Sequence, residues 1–145
     1  MEPVAAIIAD PHISMSTLSQ ASRILIETID QVSTNDLHDL IIAGDVFDSR
    51  KSQTLPVLLA FQRVCDHAAE KKITLHIIPG NHDKLDYTSE ESYLDMFAHH
   101  SAVNLIRDYK VHEIRGKKFH FIPFFDEKST YAKYCLLYTS DAADE

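Results

Sequence analysis

The sequence predicts an α/β protein with a parallel βαβαβ core followed by a β-hairpin. Three observations predict it. Apolar runs at residues 4–9, 40–43 and 73–78 are each bounded by breakers and followed by a polar turn, the pattern of a buried strand. The segments between them carry apolar residues at helical spacing, and strand–helix–strand repeats give a parallel sheet with right-handed crossovers. Near residue 116, Arg115-Gly116-Lys117 separates two alternating segments, a hairpin signal.

Each element has its local reason. Pro11 biases Asp10 toward extended geometry, so the first strand should run straight on into the turn. Ser16 or Thr17 can cap a helix reaching about Val32, with Leu18, Ala21, Leu25, Ile29 and Val32 on one face. Ser33-Thr34-Asn35-Asp36 ends it. After the second strand, residues 49–53 form a polar loop containing Arg50 and Lys51. A helix over residues 55–71 tolerates Pro56 in its first turn and buries Leu58, Phe61, Cys65 and Ala68. Pro79-Gly80 breaks the third strand, and Gly80 permits a sharp turn. A shorter helix is expected over 89–100, capped by Thr88 or Ser89. A short strand at 103–106 and hairpin strands at 109–114 and 118–122 follow, closed by Pro123.

Length and composition limit the possibilities. The chain has 145 residues, enough for one domain with a real core. No apolar run approaches a membrane span, and the N-terminus lacks a basic, apolar signal segment, so a cytoplasmic protein with no membrane partner is expected. Two cysteines, Cys65 and Cys135, make no disulfide framework; Cys65 lies on an apolar helix face and reads as core. The net charge of −8 is not the footprint of general attraction to nucleic acid.

The chemistry is concentrated in three clusters: Asp10-Pro11-His12, Gly44-Asp45-Val46-Phe47-Asp48 and Gly80-Asn81-His82-Asp83. Each directly follows an apolar run, so all three should meet at the carboxyl edge of one sheet, where ligands gather. Carboxylates, an amide and imidazoles crowded there call for a cation. A mixed oxygen and nitrogen set suits manganese, iron or zinc better than calcium or magnesium. No cysteine lies in any cluster, which argues against structural zinc.

Asp-x-His, Gly-Asp-x-x-Asp and Gly-Asn-His-Asp, in this order, resemble the calcineurin-like metallophosphoesterase superfamily over residues 4 to about 125. The resemblance implies a metallophosphoesterase sandwich, truncated here, and two divalent metal ions, typically manganese. Carried over position by position, Asp10 and His12 would bind the first metal, Asp45 would bridge both, and Asn81 would bind the second. Such cations activate water and clamp phosphate oxygens. His82 would stabilise the transition state or protonate the leaving oxygen. Asp83 would orient His82, and Asp48 would orient His12 or a bound water. The remaining histidines divide in two. His38, His67, His99 and His100 read as solvated, and His76, His112 and His120 as partly buried structural residues.

The family's further histidine and its Gly-His-x-His cluster do not follow Phe125 in this sequence. Residues 1–134 therefore read as the N-terminal part of a catalytic domain, expected to be inactive alone. Residues 135–145 resemble one frame of a transposase-type sequencing adapter (TGT CTC TTA TAC ACA TCT GAC GCT GCC GAC) and read as a non-native tail. The alternative is a genuine terminal strand with an acidic tail. Without Asp141, Asp144 and Glu145 the charge of −8 becomes −5.

The second and third motifs, taken over the stretches Ile42–Arg50 and Ile77–Asp83, further resemble SbcD-like nuclease subunits of DNA repair and recombination complexes. That likeness implies DNA ends as substrate, an SbcC-like coiled-coil ATPase as partner through the missing C-terminal part, and a homodimer. Arg50 and Lys51 would then touch a phosphate backbone; their other reading is a solvated loop. Two alternatives stay open: a phosphatase or phosphodiesterase for a small phosphoester, and an inactive interaction scaffold.

Overall fold

The computed structural model describes residues 2–124 apart from Tyr87. The expected tail at 135–145 and the boundary at 134 lie outside these residues. The elements are β1 (Ala6–Ile8), α1 (Leu18–Thr34), β2 (Asp39–Ala43), α2 (Leu55–Glu70), β3 (Thr74–Ile78), a 3₁₀ turn (Tyr93–Phe97), β4 (Val103–Leu105), β5 (Lys110–Ile114) and β6 (Lys117–Phe121). The first four strands form one parallel sheet in the order β1-β2-β3-β4. Strands five and six form an antiparallel hairpin. This is the expected α/β fold, a parallel βαβαβ core and a β-hairpin, with β4 added to the parallel core.

A parallel sheet in sequential order, with right-handed crossovers, puts its helices on one face. The burial agrees. Leu40, Ile42, Leu75 and Ile77 point into a core with Leu25, Ile29, Phe61, Val64 and Cys65 of the two helices. The opposite face carries Ile41, which packs with Ile106 and with Ile114 and Phe121 of the hairpin. On that face His76 is 2 % exposed. Its Nε2 lies 2.6 Å from Asp39 Oδ1 and its Nδ1 lies 2.9 Å from the Asn104 amide. Buried between sheet and hairpin, the ring is satisfied at both nitrogens.

Helix boundaries follow their signals. Thr17 takes the N-cap position of α1, although its side chain makes no capping hydrogen bond, and Pro56 sits in the first turn of α2. Leu58 is only partly buried, and Val57, Ala60 and Val64 join the α2 stripe instead. Three expectations are corrected. Strand β1 keeps only three paired residues, because it lies at the sheet edge with one neighbour, and Ile7 is 64 % exposed. The helix expected over 89–100 is the single 3₁₀ turn Tyr93–Phe97, with Ser92 as its N-cap. Upstream, Asp86 Oδ1 accepts from the Thr88 amide at 2.9 Å and Ser89 Oγ from the Glu91 amide at 3.0 Å. These local bonds satisfy the backbone without a helix. The histidine assignments also shift. His67 and His100 are partly buried beside Asp30 (2.8 Å) and Asp66 (3.1 Å), whereas His120 is exposed.

The hairpin turns at Arg115 and Gly116, both with positive φ (47° and 74°), as a two-residue turn of matching twist requires. Arg115 reaches back to the Asp36 carbonyl. Among the described residues no helix is long and apolar enough to cross a membrane.

Candidate metal centre

The three clusters meet at the carboxyl edge of β1, β2 and β3. They are joined first by backbone. Asp10 N donates to Gly44 O (3.2 Å), His12 N to Asp45 O (3.1 Å) and Ile13 N to Val46 O (2.8 Å), while Asp48 N donates back to Ile13 O (3.2 Å). The loops after β1 and β2 thus run on as a zipper beyond the regular sheet. That zipper overrides the local preference set by Pro11. Asp10 is not extended but left-handed, with φ of 52°, and His12 (48°) and Asp45 (50°) share that region. Non-glycine residues there are uncommon, and the strain persists only where the surroundings over-determine it.

Buried anchors fix the second loop. Val46 and Phe47 are fully buried, and Phe47 packs edge-on against Phe61 with ring centroids 5.6 Å apart. Between and beside these anchors, Asp45 (9 % exposed) and Asp48 (exposed) face the edge. At the first loop, Thr17 Oγ1 donates to His12 O at 2.9 Å, so the N-cap residue of α1 also holds a candidate ligand. Sequence reading saw Thr17 only as a cap. The spacing Ser14-x-x-Thr17, whose side chains lie 2.9 Å apart, was the available signal of a compact loop.

Gly80 is needed for a different reason from the one expected. Its φ is not positive. A Cβ there would overlap the Asp45 side chain and its backbone nitrogen. Close approach of two backbone segments, not a sharp turn, requires glycine. Gly44 passes the same point with φ of 83°, where a Cβ would lie 3.1 Å from Gly80 Cα.

Asp83 also differs from expectation. It is fully buried. Its Oδ1 accepts from the Phe47 amide (3.0 Å) and its Oδ2 from the Gly80 amide (2.8 Å), so both oxygens serve backbone rather than the His82 ring. Asp83 is a brace between the second and third loops. Burial pushes its carboxyl up to about 6, against the downward pull of the Gly80, Phe47 and Val46 amides.

The remaining side chains converge on the edge. Asp10, His12 and Asp45 offer ligand atoms within 4.8 Å of one another, and so do His12, Asp48 and His82. His12 Nε2 is 3.9 Å from Asp45 Oδ2, and its Nδ1 is 3.2 Å from Asp48 Oδ1. The His82 amide donates to Asp45 Oδ1 at 2.9 Å. His82 Nδ1 lies 2.6 Å from the Asp48 carbonyl oxygen, which can only accept, so Nδ1 carries the proton. In the neutral ring Nε2 then holds the lone pair. Arg50 and Lys51 are exposed just beyond, and the Tyr93 hydroxyl donates to Arg50 O at 3.0 Å.

The donor set fits divalent cations. The end of the Asn81 amide faces both Asp45 oxygens, at 3.0 and 3.1 Å. With nitrogen turned toward the carboxylate this is a hydrogen bond. With oxygen turned toward it, two acceptors face each other, an arrangement that a shared cation stabilises. Asp10, His12 and Asp45 would hold one cation; Asp45 and Asn81 are the described residues available to a second. Bound there, the cations would supply the charge that activates water and neutralises a phosphate. The chain's own contribution is to hold Asp45 rigidly, through Gly80 and the His82 amide, and to present His82 Nε2 for proton transfer.

No curated protein matches the sequence. Among solved structures, the Pseudomonas putida nuclease MPE is similar at 19% sequence identity and a TM-score of 0.49, over 70% of this chain. The chain spans 46% of that structure, somewhat under half its length. The calcineurin-like phosphoesterase family model matches residues 4–140, a span that takes in all three clusters. The chain belongs to the calcineurin-like phosphoesterase family.

Proposed function

We propose that the protein is a manganese-dependent phosphodiesterase acting on DNA ends, the nuclease subunit of a double-strand-break repair or recombination complex. The observation that carries the hydrolytic reading is the convergence of Asp10, His12, Asp45 and Asn81 on one sheet edge, with His82 beside them. Family membership supports a metal-dependent hydrolase of phosphoesters. The narrower choice of DNA rests on the SbcD-like stretches of the second and third motifs and on Arg50 and Lys51, two exposed cations in a chain of net charge −8. Arg50 and Lys51 would contact the phosphate backbone. An SbcC-like coiled-coil ATPase and a second copy of the chain are the partners this reading names.

In this reading Asp45 would be a ligand to both cations. His82, its Nδ1 proton held by the Asp48 carbonyl, would as the imidazolium give its Nε2 proton to the departing leaving oxygen and end as the neutral ring. The protein expressed from its full reading frame, supplied with Mn²⁺, tests it against two substrates: end-labelled duplex DNA and p-nitrophenyl phosphate. Release of nucleotides from DNA, abolished by His82→Ala, is the expected result. Turnover of the monoester without any cleavage of DNA would replace this reading with that of a small-phosphoester hydrolase.

A further inference from the structure

We infer that His12, Asp48 and His82 form a second cation site, nitrogen-rich and suited to zinc, which competes with the oxygen-rich manganese site for His12. Three observations lead there. The ligand atoms of the three side chains lie within 4.8 Å of one another. The two rings stand edge to face with centroids 5.1 Å apart. The Asp48 carbonyl takes the Nδ1 proton of His82 at 2.6 Å, leaving Nε2 as the ligand nitrogen. A metal-binding histidine whose other nitrogen donates to a backbone carbonyl is the usual arrangement at zinc and related centres.

The competition follows from His12 itself. Its Nδ1 faces Asp48 at 3.2 Å and its Nε2 faces Asp45 at 3.9 Å. When Nε2 binds a cation held by Asp10 and Asp45, Nδ1 carries the proton and donates it to Asp48. When Nδ1 binds a cation held by Asp48 and His82, Nε2 carries the proton and faces Asp45. One ring serves one set at a time. Two imidazoles and one carboxylate favour zinc, cobalt or nickel; carboxylates with one imidazole and an amide favour manganese. Zinc at the second site would also occupy the nitrogen of His82 assigned above to proton transfer. The zinc site stands on geometry alone, whereas the competition rests on the manganese reading of the edge.

The test is cation binding rather than catalysis. The wild-type chain and the variants Asp48→Asn, His82→Gln and Asp10→Asn are titrated with Co²⁺, read by its visible absorption as a stand-in for zinc, and separately with Mn²⁺, read by electron paramagnetic resonance. The altered side chains lie at an exposed or half-exposed edge, so each variant should fold, and circular dichroism checks this. Asp48→Asn and His82→Gln should each weaken Co²⁺ binding at least tenfold, while Asp10→Asn changes it less than threefold. Zn²⁺ should displace Mn²⁺ from the wild type but not from Asp48→Asn. If Co²⁺ binding falls with Asp10→Asn and not with Asp48→Asn, the second site is refuted. Loss of Mn²⁺ binding in the wild type would instead refute the manganese site and the competition, leaving the Co²⁺ result to stand by itself.

Discussion

Asp83→Asn isolates the brace that ties the second and third loops. In the folded chain burial raises the Asp83 carboxyl from 3.8 to about 6. The folded state therefore holds the proton more tightly than the unfolded chain does. The sign follows from linkage: the contribution is fully present below about pH 4 and is lost as pH rises through about 6. The gap between 3.8 and about 6 corresponds to roughly 3 kcal/mol. Asparagine does not titrate, so the variant lacks this term. Relative to the protonated carboxyl, whose two oxygens can both still accept, asparagine keeps one acceptor oxygen, so either the Phe47 or the Gly80 amide is left unpaired, at about 1–3 kcal/mol. Urea unfolding of both proteins at pH 4, 5, 6 and 7, with a chelator present, measures the difference. The variant should be the less stable at pH 4, and the difference should move in its favour by roughly 3 kcal/mol by pH 7. Comparing the two proteins cancels every other titration. A difference that stays constant across this range would show that Asp83 ionises normally and that the brace is not desolvated.

Other perturbations separate the parts of the edge. Gly80→Ala should expel Asp45 from its position; Mn²⁺ affinity, read by paramagnetic resonance, should fall at least roughly tenfold while the far-ultraviolet dichroism is retained. Phe47→Ala should cost about 3–5 kcal/mol in urea unfolding, because a fully buried ring in contact with Phe61 is removed. Cys65 is fully buried and burial pushes its thiol up to about 12, so in a Cys135→Ser background its labelling by a thiol reagent should track global unfolding.

The parallel sheet was legible because three apolar runs followed by polar clusters admit few other arrangements. The helix faces were legible from Ala21, Leu25, Ile29 and Val32, and from Phe61, Cys65 and Ala68. What local reading misjudged were residues governed by chains distant in sequence. Asp10 was expected to be extended because of Pro11, yet its amide bonds to Gly44 and turns it left-handed. Gly80 read as a turn glycine, yet it is the approach of Asp45 that excludes a side chain. Asp83 sits next to His82 in sequence and was assigned to it, although its oxygens point inward to Phe47 and Gly80. The helix expected at 89–100 failed for a local reason instead, as the Asp86 and Ser89 side chains captured the backbone.

Asp45 is where the three loops meet: Gly80 packs against it, and its side chain and carbonyl accept from the His82 and His12 amides. A Mn²⁺ titration of the wild type and Asp45→Asn, followed by the free-ion paramagnetic signal, tests its assignment as a metal ligand most directly. The wild-type chain should take up Mn²⁺, and Asp45→Asn should bind it at least roughly tenfold more weakly. Equal uptake by the two proteins would contradict the assignment of this edge as the metal centre.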